Sequence, residues 1–272
     1  MKISFLIDNL TEGELMPEWG LAVHITYRGK RYLLDTGSSG KFAENARALG
    51  ISLADVDCGI LSHAHYDHSD GMAAFFAENE RANFYLRAGA EENCYAGKWI
   101  FRKYIGIHKG YLKKYADRIV YADGNYELSP GVLLLPHSTP HLEELGKAAN
   151  MYVRKNHRMC PDCFAHEQSL VFDTREGLVV CSSCSHGGAD NIIKEAAAAC
   201  PDKKIYALIG GFHLFASPEA QVRSLAGRIR ETGIRRIYTG HCTGKRAAAI
   251  LREELGDAVT QIYTGLEIEI AE

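Results

Sequence analysis

No apolar run in the 272-residue chain approaches the roughly 20 residues that a membrane span requires. An excess of one charge is lacking as well. Lys and Arg number 31 against 34 Asp and Glu, a formal net charge of −3, so neither nucleic acid nor a membrane surface is indicated as a partner. An export signal is not evident: the opening Met1-Lys2-Ile3-Ser4-Phe5-Leu6-Ile7-Asp8 reads as a strand whose short apolar run is broken by Asp8. A soluble, cytoplasmic protein is expected. The chain has no repeat at a solenoid period, no low-complexity tract and no Pro/Ser-rich linker, which favours one domain over 1–272.

Two residue types are plentiful. There are eight cysteines (Cys58, Cys94, Cys160, Cys163, Cys181, Cys184, Cys200 and Cys242) and twelve histidines. Without an export signal, buried thiols or metal ligands are expected before disulfides.

Apolar patterning predicts strands over 2–9, 22–28, 31–35, 56–61 and 83–88, with Gly29-Lys30 turning the second into the third. Helices are predicted over 40–49, where Phe42, Ala46 and Leu49 recur at helical spacing, and over 71–78. The segment near 91–118 mixes Tyr95, Trp99, Phe101, Tyr104 and Tyr111 with Lys98, Arg102, Lys103, Lys109, Lys113 and Lys114. It reads as a helical, aromatic-basic insertion. One reading makes it a flap in which Lys98, Arg102 or Lys103 pairs with an anionic substrate; the other makes it a solvated helix resting on its aromatic face. Residues 137–147 read as a loop. A hairpin over 168–173 and 177–182 leads into helices 190–200, 218–231 and 245–255, interleaved with strands 204–209, 235–239 and 259–264. Strands outnumber the amphipathic helices in both halves, which suits two packed sheets with helices on the outer faces, an α/β sandwich.

The densest chemistry is His63-Ala64-His65-Tyr66-Asp67-His68, four candidate ligands within six residues between a buried strand and a helix. In extended chain, residues two apart point the same way, so His63 and His65 can grip one ion. The turn into the helix then swings Asp67 and His68 toward a second. Imidazole and carboxylate suit zinc, iron or manganese.

This His-x-His-x-Asp-His pattern, with Asp35-Thr36-Gly37 about thirty residues upstream, resembles the metallo-β-lactamase fold superfamily. The resemblance implies a four-layer αββα sandwich with a metal site at one edge. It also implies that Asp35 supports the metal loop by hydrogen bonding, orienting a ligand from behind. Cys181-Ser-Ser-Cys184-Ser-His186, Gly210-Gly-Phe-His213 and Thr239-Gly-His241-Cys242-Thr-Gly each follow an apolar strand and should reach the same edge as His63. On this reading His186 is the third ligand of the first ion and His241 a ligand of the second. His213 completes a site, contacts substrate or moves protons. The Gly-Gly-Phe-His and Gly-His-Cys-Thr-Gly pair is similar to a branch that holds dihydropterin–ribofuranosylaminobenzene-phosphate synthases together with hydrolase-like proteins. Two superfamily features lack a counterpart. The usual His-Thr-Pro-Gly segment is missing, with His137, His141 and His166 as candidates for its place. The strand-end Gly-Asp that supplies a bridging carboxylate is replaced by Ser183-Cys184, which makes Cys184 a supporting residue or a thiolate ligand.

The spacing of Cys160-Pro-Asp-Cys163 and Cys181-Ser-Ser-Cys184, seventeen residues apart, also fits a four-thiolate structural zinc site. Alternatively, the first pair lies on a loop and the second is buried. The function expected is a metal-dependent hydrolase of a small anionic ester, phosphoester or amide. It would use one or two Zn2+ (or iron or manganese) and a metal-bound hydroxide. Asp67 would steer a proton and His213 would protonate the leaving group. A pterin-condensing transferase on the same site and a non-catalytic metal-bound sensor are the alternatives; a homodimer is left open.

Overall fold

The computed structural model describes residues 1–98 and 101–272, so Trp99 of the expected insertion lies outside the described residues. The chain opens with strands β1 (Lys2–Ile7), β2 (Ala22–Tyr27) and β3 (Lys30–Leu34), an antiparallel meander. Helix α1 (Lys41–Ala48), β4 (Cys58–Ile60), helices α2 (Tyr66–Ser69) and α3 (Met72–Glu78) and β5 (Asn83–Arg87) follow. Next come β6 (Cys94–Ala96), β7 (Lys103–Tyr104), α4 (Tyr111–Lys114), β8 (Ile119–Ala122), β9 (Tyr126–Ser129), β10 (Val132–Pro136) and α5 (Leu142–Ala148). The second half holds β11 (Met151–Lys155), β12 (Arg158–Pro161), β13 (Gln168–Thr174), β14 (Gly177–Cys181), α6 (Ala189–Ala199), β15 (Ile205–Gly210), α7 (Glu219–Glu231), β16 (Arg236–Thr239), α8 (Lys245–Leu255), β17 (Val259–Gln261) and β18 (Glu267–Glu269).

Two seven-stranded sheets result, ordered β18-β1-β2-β3-β4-β5-β8 and β17-β16-β15-β14-β13-β10-β9. Their facing sides share one core. Phe5, Val23, Ile25, Leu34 and Ile60 of the first sheet meet Leu134, Leu170, Phe172, Val179, Cys181 and Ile209 of the second. The alternate residues of the same strands face outward and are also buried. Leu33 and Phe84 pack under α1 and α3 through Phe42, Ala46, Met72 and Phe75. Leu178, Val180 and Leu208 pack under α6, α7 and α8 through Ile192, Val222, Ile229 and Leu251. Three apolar layers between four structural layers make the αββα sandwich. They also explain why the central strands read as unbroken apolar runs: a strand covered on both faces has no polar side. Each fully buried Leu, Ile, Val or Phe contributes about 1.5–3 kcal/mol of hydrophobic stabilisation, and none of the described helices is long and apolar enough to cross a membrane.

Strands β3, β4, β5 and β8 run parallel, as do β14, β15, β16 and β17. Parallel strands deliver their C-terminal ends to one edge, the usual place for a site in α/β sheets. Asp35 follows β3, His63 follows β4, Cys184 and His186 follow β14, His213 follows β15 and His241 follows β16.

The expected helical insertion is part strand and part helix among the described residues. Tyr95 and Tyr104 pair in β6 and β7, which join β11 and β12 as a four-stranded accessory sheet, and the helical part is short, the one-turn α4 followed by a 3-10 turn at Ala116–Arg118. Alternating aromatic residues favour pleated chain once a partner strand is available, and that partner lies more than fifty residues away at Met151–Lys155. The expected loop at 137–147 contains α5. Its Gly146 has low helix propensity, yet only glycine fits, because a Cβ there would strike the Asp162 backbone carbonyl.

Candidate metal centre

Strand β4 ends at Ile60, and the chain turns through Ser62 and His63 into α2, whose first residue is Tyr66. This corner faces the ends of β14 and β16. His63, His65 and His186 form one group with all three ligand atoms within 4.8 Å. Their ring centroids are 4.5 Å apart for His63–His65 and 5.1 Å for each pairing with His186. Asp67, His68 and His241 form a second group. Asp67 Oδ2 lies 3.8 Å from His68 Nε2 and 3.5 Å from His241 Nε2. The two groups adjoin, with the His63 and His68 rings 4.2 Å apart. The sequence thus named six residues that the fold gathers into two neighbouring triads.

A hydrogen-bonded shell holds several of these rings. His68 Nδ1 donates to Asp35 Oδ2 at 2.7 Å. Ser62 Oγ donates to the same carboxylate at 2.7 Å and accepts from His63 Nδ1 at 2.9 Å. His241 Nδ1 donates to Asn9 Oδ1 at 3.1 Å, and its backbone N–H donates to Asp8 Oδ2 at 2.7 Å. A proton fixed on Nδ1 leaves the Nε2 lone pair directed inward. The Nε2 atoms of His63, His65, His186 and His241 are buried with no hydrogen-bond partner. Buried polar atoms are nearly always paired, so several converging orphans beside a carboxylate fit a bound cation. These donors suit a divalent transition metal.

The electrostatics agree. Burial, reinforced by the neighbouring imidazoles, holds His63, His65 and His186 well below the usual histidine range and therefore neutral, the form that ligates. Burial takes His241 down to about 3. His68 behaves oppositely. Burial works against its charge, but Asp35 and Asp67 outweigh it and lift His68 to about 9, a measure of the negative field around the second triad. Asp35, Ser185, His213 and His241 all have positive φ, between 45° and 61°. Strained non-glycine backbone of this kind concentrates at functional sites.

His213 stands beside the first triad, its ring 4.6 Å from that of His186 and its buried Nδ1 unpaired. A cavity of about 760 Å³ opens next to both, lined by Phe164, Phe212, Phe215, Asn150, Lys194 and Arg228 among others. Lys98, Arg102 and Lys103 do not line it. Lys103 lies on β7 of the accessory sheet, and Arg102 stacks over Tyr152 at 4.0 Å. The segment meets the metal loop through backbone, Tyr66 N donating to Ile105 O at 2.8 Å, and through Cys94, which lies beside His65.

The four-thiolate site is not formed among the described residues. Cys160 packs on the first sheet's outer core, Cys163 packs against the small Leu142–Met151–Phe164 cluster, Cys181 lies between the sheets, and Cys184 is at the metal centre. Cys160 lies on β12 of the accessory sheet and Cys181 ends β14 of the second main sheet, so equal spacing along the chain does not bring the two pairs together.

Of the three stand-ins for the missing histidine segment, none joins a triad. His141 is exposed at the start of α5. His137 lies between Glu195, 2.9 Å from Nδ1, and Glu167, 3.0 Å from Nε2. His166 comes nearest, in a buried group with His65, Cys94 and Asp162. Its Nδ1 accepts from Ala64 N at 3.2 Å, so its proton sits on Nε2, which faces Asp162 Oδ2 at 3.0 Å. With that tautomer it is a hydrogen-bonding residue behind the site, not a ligand. Sequence reasoning missed Ser62, Asp8, Asn9, Asp162 and Glu167. Asp8 and Asn9 carried the available signal, polar residues at the end of an apolar strand.

The metallo-beta-lactamase superfamily model matches residues 20–144. The chain is 28% identical over 247 residues, 87% of its length and 83% of the relative's, to the 7,8-dihydropterin-6-methyl-4-(beta-D-ribofuranosyl)-aminobenzene-5'-phosphate synthase of Methanocaldococcus jannaschii. It is similar to a solved structure described as a metal-dependent hydrolase of the beta-lactamase superfamily, with TM-score 0.85 and 29% identity over 100% of both chains. Zn(2+)-bound PqqB from Methylobacterium extorquens shares the fold alone, with TM-score 0.59 and 10% identity over 99% of this chain and 100% of the other.

Proposed function

Since this chain is a metallo-β-lactamase-fold protein, we propose that it is a metal-dependent hydrolase of a small anionic ester, phosphoester or amide. The observation that carries the reading is the pair of adjoining triads with orphaned imidazole nitrogens. His63, His65 and His186 would hold one ion, and Asp67, His68 and His241 the other. Bound there, divalent metal supplies a water of lowered pKa and a Lewis acid for the substrate's oxygen. Asp35, Ser62 and Asn9 hold Nδ1 of His68, His63 and His241, which orients these three rings before a metal binds. Asp67 would accept a proton from the attacking water. His213, which lines the cavity with an unpaired Nδ1, would pass a proton to the leaving group. Phe164, Phe212 and Phe215 form an apolar part of the cavity wall. Lys194 and Arg228, both paired with Asp190 at 3.5 and 2.9 Å, leave two cations against one carboxylate for an anionic substrate.

A pterin-pathway synthase is the second reading, favoured by the similarity to the archaeal synthase and by the aromatic cavity walls, which suit a planar ring. The test is metal-loaded protein assayed on a panel of phosphoesters, carboxylic esters and lactones. In parallel it is incubated with a dihydropterin diphosphate and ribofuranosylaminobenzene 5'-phosphate. Hydrolysis that disappears in His63→Ala supports the first reading. A condensed product without hydrolysis replaces it with the second, and neither activity with full metal occupancy overturns both.

A further inference from the structure

We infer that Cys184 and Cys242 are metal ligands, Cys184 as a thiolate shared by the two metal positions and Cys242 as a terminal thiolate of the second. The inference rests on the metal-centre reading above and says what that centre is made of. Cys184 reaches members of both triads: its sulfur groups with His63 and His68 and, separately, with His241 and Cys242, the atoms of each group lying within 4.8 Å of one another. It therefore stands between the positions, where a bridging donor has to be.

The spacing is that of a coordination polyhedron. Two donors on one ion with metal–ligand bonds of about 2.0–2.3 Å stand about 3.3–3.8 Å apart at a tetrahedral angle and somewhat closer where five donors share the ion. The donor separations are 3.3 Å for His68 Nε2–Cys184 Sγ, 3.4 Å for Cys184 Sγ–Cys242 Sγ, 3.5 Å for Asp67 Oδ2–His241 Nε2 and 3.8 Å for Asp67 Oδ2–His68 Nε2. Both thiols are buried, at 3% and 1% exposure. A buried thiol that only fills space sits among apolar atoms, as Cys181 does between the sheets. The sulfurs at the centre instead meet an imidazole nitrogen, each other, and the His213 backbone N–H, which donates to Cys242 Sγ at 3.2 Å.

Adding sulfur to the donor set has a consequence for metal choice. Thiolate and imidazole favour zinc, iron or cobalt(II), whereas magnesium, calcium and manganese prefer oxygen. The centre should discriminate accordingly.

The experiment is anaerobic titration of the metal-free full-length protein with Co2+, followed by absorption. Thiolate-to-cobalt charge transfer in the near ultraviolet should rise together with the visible d–d bands. Cys184→Ser should lose most of that charge-transfer intensity and Cys242→Ser part of it, while Cys181→Ser keeps it. Visible bands without sulfur charge transfer in the unmodified protein would overturn the thiolate assignment and leave the histidine and aspartate centre standing. That arm needs no variant to fold. Absence of any cobalt bands would overturn the metal-centre reading itself, and this inference with it.

Discussion

Asp35 Oδ2 lies 2.7 Å from His68 Nδ1, and neither side chain has measurable exposure. The same carboxylate reaches His63 through Ser62 Oγ, so one buried acid orients an imidazole in each triad. The Asp-Thr-Gly turn that carries it is tied to the metal loop from the other side as well, with Thr36 N and Oγ1 both donating to His68 O.

Asp35→Asn is therefore expected to weaken metal binding by about 10–100-fold, the usual cost of losing such a partner. Competition against a chelator of known affinity measures it. Unchanged affinity would show that the rings are held by packing alone.

His63→Ala removes a donor from the first triad and should lower the metal content by at least one ion per chain, together with activity. Elemental analysis of protein purified without added metal decides this, and retained stoichiometry would show that the site lies elsewhere.

Cys160→Ser and Cys163→Ser should leave metal content unchanged, because the two sulfurs lie in separate clusters and neither joins a candidate ligand group among the described residues. Stability should move by less than about 1.5 kcal/mol for such small, partly buried changes. Zinc loss in either variant would revive the four-thiolate site.

His137 lies between Glu167 and Glu195, and although burial opposes its charge the two carboxylates lift it to about 10. An unfolded histidine titrates near ~6.5. The stabilisation is thus complete below that pH and is lost as pH rises through about 10. His137→Gln should cost about 3–5 kcal/mol near neutrality by leaving buried carboxylates uncompensated, and it should flatten the alkaline fall in stability. Denaturant melts of both proteins between neutral and alkaline pH test the slope.

Gly71 sits where the metal-loop helix passes the Asp35-Thr36-Gly37 turn. A Cβ there would collide with the backbone carbonyls of Thr36 and Ser39, neither of which is the end of a flexible side chain. Gly71→Ala should destabilise by about 1–3 kcal/mol through overpacking and should weaken metal binding by displacing the turn. Thermal melting and metal titration of the same sample would separate a purely structural effect from a linked one.

The sequence by itself determined the strand–helix alternation from residue 168 onward, the candidate metal loop His63–His68 and the later histidines at strand ends. Local patterning suffices for these, because an apolar run ending in a polar ligand is visible in one window of chain. It also specified the sandwich, since strands without a polar face have to be covered on both sides. Only the tertiary structure decided the rest. Whether Cys184 stands with His68 or with Cys160 depends on where separate strands end, and equal spacings along the chain say nothing about that. The accessory sheet needed Tyr95 to find Tyr152 across the fold, and α5 needed the Asp162 backbone to receive Gly146. The support of His241 by Asp8 and Asn9 joins residues more than 230 positions apart. Such contacts form because parallel strands bring their ends to one edge, a property of the sheets and not of any local segment.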